Sequence, residues 1–200
     1  MAGEKDTRMR GKLIVVSAPS GAGKTTIVKA VLNNNPGMLF SISATTRAQR
    51  GNEVHGKDYF FLSRKDFETR IQENGLVEWE EIYGNLYGTL RTEIEKALSS
   101  GATMLFDIDV KGGLSIKRQY PHDAVLIFIH PPSFEILRDR LINRKTEDEA
   151  TILRRLDRVP MEMEFGNEFD YQVVNDNLEK AVKQVQAIVH ANTERLLLQS

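Results

Sequence analysis

Cysteine is missing from all 200 residues, which excludes disulfides and thiolate metal sites. Net charge is nearly missing too. The 27 basic and 28 acidic residues leave −1, so no broad field exists to hold DNA or an acidic membrane surface. No apolar run approaches the ~18 residues of a membrane span. The opening MAGEKDTRMR has no apolar stretch to read as a signal peptide. Internal repeats and low-complexity segments are absent as well. These absences predict a cytoplasmic chain with a loose tail over residues 1–10 and with neither nucleic acid nor membrane as partner. What is present is apolar content of 40%, enough for one compact α/β domain or one domain with inserted lobes.

Leu13–Ser17 (LIVVS) is a short apolar run rich in β-branched residues, the pattern of a strand buried on both faces of a parallel sheet. Thr103–Ile108 and Ala124–Ile129 repeat it, and Tyr171–Val174 is a shorter fourth strand. Helical segments separate these runs, which predicts βαβ units with helices on both faces of a parallel sheet. The first helix stops at Asn35-Pro36-Gly37. The last, from Leu178 to Leu197, carries a one-sided apolar stripe at 178, 181, 182, 185, 188 and 189.

Two regions interrupt this rhythm. Residues 43–95 are richer in Gly, Tyr, Phe and charge, as expected of an inserted lobe. Within it, Asp58–Leu62 and Leu76–Glu80 are strand-like, and a helix runs between an N-cap at Ser63 and a C′ residue at Gly75. Residues 138–159 are helical, highly charged and poor in core residues, which suits a mobile flap.

After the first strand comes Ala18-Pro19-Ser20-Gly21-Ala22-Gly23-Lys24-Thr25-Thr26. Gly23-Lys24-Thr25 fits the end of the P-loop pattern, while Ala18 stands where its first glycine is usual. Gly21 and Gly23 let the backbone curl so that N–H groups point at an anion, and the next helix adds its positive N-terminus. Lys24 can reach the outer phosphates of a nucleoside triphosphate, and the Thr25 hydroxyl can ligate Mg²⁺. This predicts a nucleoside triphosphate with Mg²⁺ held by Ser20 through Thr26, and phosphoryl transfer as the chemistry.

Elsewhere the residues allow two readings. Arg47 and Arg50, with Tyr59 nearby, make either a clamp for a phosphate monoester or a solvated basic loop. Glu78 sits in an apolar strand and Tyr87-Gly88-Thr89 follow; ordinary strand and turn packing is the alternative there. Asp107 and Asp109 flank Ile108 at the carboxyl end of a strand. Period two places both on one face, where one could orient Mg²⁺ through water. The flap holds Arg140, Arg144, Arg154, Arg155 and Arg158, suited either to stabilising charge on a transferring phosphoryl group or to pairing with Glu147, Asp148 and Glu149 on a solvated helix.

The segments SAPSGAGKTT, SATTRAQRGNEVHGKDYFF, GNLYGT, FDIDVKG and VVND occur in order through nearly the whole chain. Together they closely resemble the guanylate kinase family. The resemblance implies a P-loop NTPase-type α/β fold with a nucleotide-monophosphate-binding lobe over 43–95 and a helical lid over 138–159. The core then comprises 11–42, 96–137 and 160–200. The implied reaction moves the γ-phosphoryl of ATP to GMP. By resemblance, Arg47, Arg50, Tyr59 and Tyr87 hold the GMP phosphate, and Ser43, Glu78 and Thr89 read guanine. Glu53 and Asp109 match further nucleotide contacts, and Asp107 belongs to the metal and acceptor region. Arg140, Arg144 and Arg155 match the lid arginines, whereas Arg154 and Arg158 fit the solvated ion-pair reading. Asn175 matches an adenine-side contact, with strand-end packing as the alternative. The family often shows Gly-Arg-Gly-Thr at the lid, where this chain has Asn143-Arg144-Lys145-Thr146. ATP and GMP are the expected small-molecule partners, and the chain is expected to be a monomer or a homodimer. Rival readings are another nucleoside monophosphate kinase, a kinase-like binding module, and a GTPase, for which no base-reading N-K-x-D loop is found.

Overall fold

The computed structural model describes residues 10–142 and 149–193. Arg144, its neighbours Asn143 and Lys145, most of the N-terminal tail and the end of the last helix lie outside them. At the end of the expected tail, Arg10 Nε donates to Asp123 at 2.6 Å.

The central sheet forms from β1 (Leu13–Ser17), β2 (Leu39–Phe40), β7 (Met104–Asp107), β8 (Ala124–His130) and β9 (Tyr171–Val174). Its order is β2-β7-β1-β8-β9, and every neighbouring pair is parallel. Residues alternate between faces along β1, so each face feeds its own core. Leu13 and Val15 pack with Phe106, Phe128, Ile94, Leu98 and Ile116. Ile14 and Val16 pack with Ile27, Val31, Ile127, Val185 and Val189. The first face is covered by α3 (Arg91–Ser99) and α4 (Val110–Gln119), and the second by α1 (Lys24–Asn34) and α7 (Leu178–Thr193). Helices on both faces of a parallel sheet are as the sequence predicts. In the apolar stripe of α7 only the first position departs: Leu178 is 43% exposed.

A second sheet uses β3 (Ala44–Thr45), β4 (Phe60–Phe61), β5 (Leu76–Ile82) and β6 (Asn85–Leu90), in the order β4-β3-β6-β5. The predicted strand over 58–62 shortens to β4. Under this sheet lies α2 (Arg64–Gln72), whose Phe67 is fully buried against Ala44, Leu76 and Leu86. Ser63 caps α2 as expected, accepting from the Asp66 N–H at 3.0 Å. The helix stop shifts by one residue. Asn74, not Gly75, takes the left-handed conformation (φ 54°). Gly75 N then donates to Arg70 O at 2.7 Å and Asn74 N to Ile71 O at 3.1 Å, a Schellman closure.

β5 and β6 form a hairpin through Tyr83 and Gly84, with φ of 49° and 78°. Its register shifts between Leu76 and Glu78. One bulged residue lets consecutive side chains serve different partners. Leu76 joins the core over α2, Val77 joins the core of the central sheet, and Glu78 lands opposite Thr89.

The remaining helices are α5 (Phe134–Ile142) and α6 (Glu149–Gly166). The charged flap is less core-poor than its composition suggests. Leu137, Leu141 and Val159 are buried together, with Ile152, Leu156 and Met163 against them. The expected flap boundary at 159 falls inside α6, which continues past Pro160 to Gly166. Among the described residues no helix is long and apolar enough to cross a membrane.

Candidate active site

The turn from β1 to α1 is built by its two glycines. Gly21 and Gly23 have φ of 93° and 94°, values that cost an L side chain about 1–2 kcal/mol. Gly23 is the N-cap of α1, and no side chain caps that helix, so its first N–H groups are left for an anion. Ala18 needs no such conformation: the described non-glycine residues with positive φ are Asn74 and Tyr83. It is buried among Val16, Ala22 and Ile27, so its methyl group is core rather than obstruction.

Asn175 braces this turn from behind. It is 5% exposed and its Nδ2 donates to Ala22 O at 2.7 Å. This contact fits the strand-end packing reading of Asn175 and ties it to the P-loop. A Cβ on Gly23 would lie 2.5 Å from that Nδ2. Gly23→Ala is therefore expected to destabilise by about 2 kcal/mol or more, from φ strain plus a displaced buried hydrogen bond. Gly37→Ala, where nothing lies within 4 Å, serves as the control. Thermal unfolding checks this; equal melting temperatures for the two variants would contradict it.

Lys24 projects across the turn to the end of β7. Its Nζ lies 2.8 Å from Asp107 Oδ1 and donates to Ile108 O at 2.9 Å. Thr25 Oγ1 reaches the other oxygen, Asp107 Oδ2, at 3.3 Å. Asp109 behaves differently from the expectation of a shared strand face. β7 ends at Asp107, and Asp109 is the N-cap of α4, accepting from Gly112 N at 2.8 Å. The strand stops before the period-two pattern can carry Asp109 to the face of Asp107.

The second sheet presents the other half. Arg47 is held by Glu53 through two bonds, Nη2–Oε1 at 2.7 Å and Nη1–Oε2 at 3.0 Å. Arg50 contributes its backbone N–H to the same carboxylate at 2.8 Å, while its side chain is exposed. These donors hold the Glu53 carboxyl below its ordinary range, Arg47 first among them. The Arg47 guanidinium also lies over the Tyr59 ring at 5.2 Å, and Tyr59 meets Tyr87 edge-on at 6.2 Å. Ser43 precedes β3, and its carbonyl accepts from Phe60 N at 2.9 Å.

Glu78 finds its partner across the hairpin: Thr89 Oγ1 donates to Glu78 Oε1 at 2.6 Å. Burial pushes the Glu78 carboxyl up to about 7, opposed by the Thr89 bond and assisted by the charge of Asp109. The Cβ position of Gly112 is 3.3 Å from Asp109 Oδ1 and 3.4 Å from Glu78 Oε2. A methyl group there would crowd Asp109 by a few tenths of an ångström and just touch Glu78.

A cleft of about 420 Å³ joins the P-loop, Glu80, Asp109 and α6. Arg155 Nη1 donates to Ser20 Oγ at 2.9 Å. Arg140 Nη2 reaches Asn175 O at 3.4 Å. Asp109 and Glu80 line this cleft, whereas Arg47, Arg50, Tyr59 and Glu78 do not.

The family model for guanylate kinase matches residues 10–192. The guanylate kinase of Thermotoga maritima is 45% identical over 188 residues, covering 94% of this chain and 90% of that protein. The guanylate kinase of Chlorobium chlorochromatii is 48% identical over 179 residues, covering 90% and 94%. The chain belongs to the guanylate kinase family. Among solved structures, a guanylate kinase from Anaplasma phagocytophilum superposes with a TM-score of 0.71 at 30% identity, over 93% of this chain and 88% of that one.

In this member of the guanylate kinase family Arg158 is half-exposed, with the Glu162 carboxylate one turn on at 3.8 Å, in line with the solvated ion-pair reading; it also lines the cleft beside Asp109, as does Arg154. Glu162 was not singled out at all, although it is 7% exposed and accepts from Ser20 N at 3.4 Å. The signal was helical spacing: positions 155, 158 and 162 fall on one face of an α-helix.

Proposed function

We propose that this chain transfers the γ-phosphoryl group of ATP to GMP, giving ADP and GDP. The observation that carries the acceptor choice is the Glu78–Thr89 pair. Guanine presents N1–H and N2–H₂ as donors and O6 as an acceptor. A carboxylate at Glu78 accepts both donors, the Ser43 hydroxyl answers O6, and the Thr89 hydroxyl can do so once it turns from Glu78 Oε1. Adenine turns a lone pair toward the carboxylate. Each buried polar group left unpaired costs about 1–3 kcal/mol, so two mismatches give a preference for GMP on the order of a hundredfold or more.

In this reading Arg47, Arg50, Tyr59 and Tyr87 grip the GMP phosphate. Glu53 keeps Arg47 in one rotamer before substrate arrives, which reduces the ordering cost on binding. Ser20 to Thr26 cradle the phosphates of ATP, Lys24 leaves Asp107 to follow the outer phosphates, and Asn175 supports the nucleotide side of the loop. Arg140, Arg144 and Arg155 supply positive charge as the phosphoryl group moves, and the segment over 138–159 acts as a lid that excludes water.

Thr25 and Asp107 fit Mg²⁺ as its protein ligands. Their oxygens meet at 3.3 Å, and hard oxygen donors are what this ion takes. Among the described residues no group of three or more His, Cys, Asp or Glu could hold a metal, in keeping with an ion that arrives largely coordinated by nucleotide phosphates. When bound, Mg²⁺ would neutralise charge on the β and γ oxygens.

The test is ADP release from ATP with GMP, AMP, CMP or UMP offered singly. GMP is expected to exceed each of the others by about a hundredfold or more in kcat/KM. Activity with AMP and none with GMP would overturn the assignment.

A further inference from the structure

The cleft face of α6 continues beyond Arg155. One turn on is Arg158, and one further turn on is Glu162, so the three share a face. The adjoining face, through Ile152, Leu156, Val159 and Met163, packs against α5. That packing fixes the rotation of the helix and therefore where Arg158 points.

Arg158 stands between two carboxylates on different elements. Its Nη2 lies 3.9 Å from Asp109 Oδ2 at the start of α4. Its Nε lies 3.8 Å from Glu162 Oε1 on its own helix. Glu162 is itself buried and held by the Ser20 N–H of the P-loop. The guanidinium is thus tethered at one end by a fixed carboxylate and reaches the acceptor wall at the other. That wall is acidic. Glu78, Glu80 and Asp109 converge on it, and the charge of Asp109 bears on both Glu78 and Glu80. Lys111 and Arg158 are the cations that act on Glu80 there. A neutralising cation has most effect where carboxylates are partly desolvated, and it keeps this wall in place for the guanine donors that Glu78 accepts.

We propose that Arg158 is a positioning residue for the acceptor nucleotide, acting through Asp109 on the wall that holds Glu78. It is distinct in role from Arg155, which contacts the P-loop through Ser20. The inference rests on the GMP kinase reading above. Arg158 is half-exposed, so its replacement leaves the fold intact.

The experiment is steady-state kinetics of Arg158→Ala and Arg158→Lys beside the wild type, with GMP and ATP varied in turn. Arg158→Ala is expected to raise KM for GMP by about three- to fivefold, with kcat and KM for ATP changed less than about twofold, the upper end of the scale of one partly exposed ion pair. Arg158→Lys is expected to recover most of the loss. In an Asp109→Asn background the effect of Arg158→Ala is expected to shrink to less than about twofold, because neighbours in one network are not additive. An unchanged KM for GMP overturns the proposal. So does a fall in kcat with both KM values unchanged, which would put Arg158 on the transferring phosphoryl group instead. So does full additivity with Asp109→Asn. A wild type without GMP kinase activity sinks the functional reading itself, a separate outcome.

Discussion

Lys24→Ala is expected to cut turnover with ATP and GMP by about a thousandfold or more, equivalent to ~4 kcal/mol of transition-state stabilisation. Lys24 is the cation at the mouth of the phosphate turn, and without nucleotide it rests on Asp107 and Ile108 O. Both contacts can be exchanged for phosphate oxygens of similar geometry, so binding energy is available where charge develops. The fold is expected to survive. The Lys24–Asp107 pair is partly solvent-exposed, which limits its contribution to about 1 kcal/mol, and Asp107 keeps Thr25. Melting temperature is therefore expected to move by no more than ~4 °C. Turnover within tenfold of wild type would remove Lys24 from the chemistry.

Glu78→Gln is expected to act in opposite directions on function and stability. The amide cannot accept both guanine donors, so KM for GMP is expected to rise about a hundredfold while KM for ATP changes little. The apoprotein is expected to melt higher. Burial raises the Glu78 carboxyl from 4.5 to about 7. A carboxyl raised in the folded state contributes stability that is fully present below its unfolded value and is lost as pH rises through the folded one. Between about pH 4.5 and 7 the folded chain holds this proton more tightly than the unfolded chain, and above that window the desolvated charge costs up to ~3 kcal/mol. Glutamine carries no charge, so near pH 8 its melting temperature is expected to exceed wild type by about 2–6 °C.

The same titration shapes substrate use. As pH falls below about 7 the wild-type Glu78 takes up a proton and loses one acceptor for guanine, so KM for GMP rises. The phosphate of GMP also protonates near pH 6. Glu78→Gln should retain only that second limb, and the difference between the two profiles isolates Glu78. Parallel profiles would argue that Glu78 does not bind guanine as a carboxylate.

Much of this site can be read in the sequence because local rules govern it. Gly23-Lys24-Thr25 after an apolar strand has few alternatives, and Ser63 caps α2 for purely local reasons. The doubly covered sheet follows from four short apolar runs. Other features depend on contacts that no local rule carries. Asn74 displaces Gly75 as the left-handed residue because the Arg70 and Ile71 carbonyls decide where the closure falls. Asp109 leaves the face of Asp107 because β7 gives way to α4 one residue earlier than alternation assumes. Glu78 meets Thr89 through a bulge at the start of β5, which is invisible in a hydropathy pattern. The Arg158 contact to Glu162 follows the i,i+4 rule of a helix face, but its approach to Asp109 spans a cleft between α6 and α4 that no local rule carries.

Pro160 divides α6 unequally, and that division gives the helix the mechanics of a lever. Proline supplies no N–H to the Leu156 carbonyl, so this point is where bending costs least. Beyond it, Gly166 seats directly against the Phe128 ring, and Met161, Met163 and Phe165 lie on the central core, making that end the fulcrum. At about 1.5 Å per residue the arm back to Glu149 is roughly 17 Å. A bend of about 20° at Pro160 would swing Glu149 by ~6 Å, Arg155 by ~3 Å and Arg158 by only ~1 Å. A bend of this size, with α5 following the arm that packs on it, would carry Arg155 over the P-loop while leaving Arg158 close to Asp109.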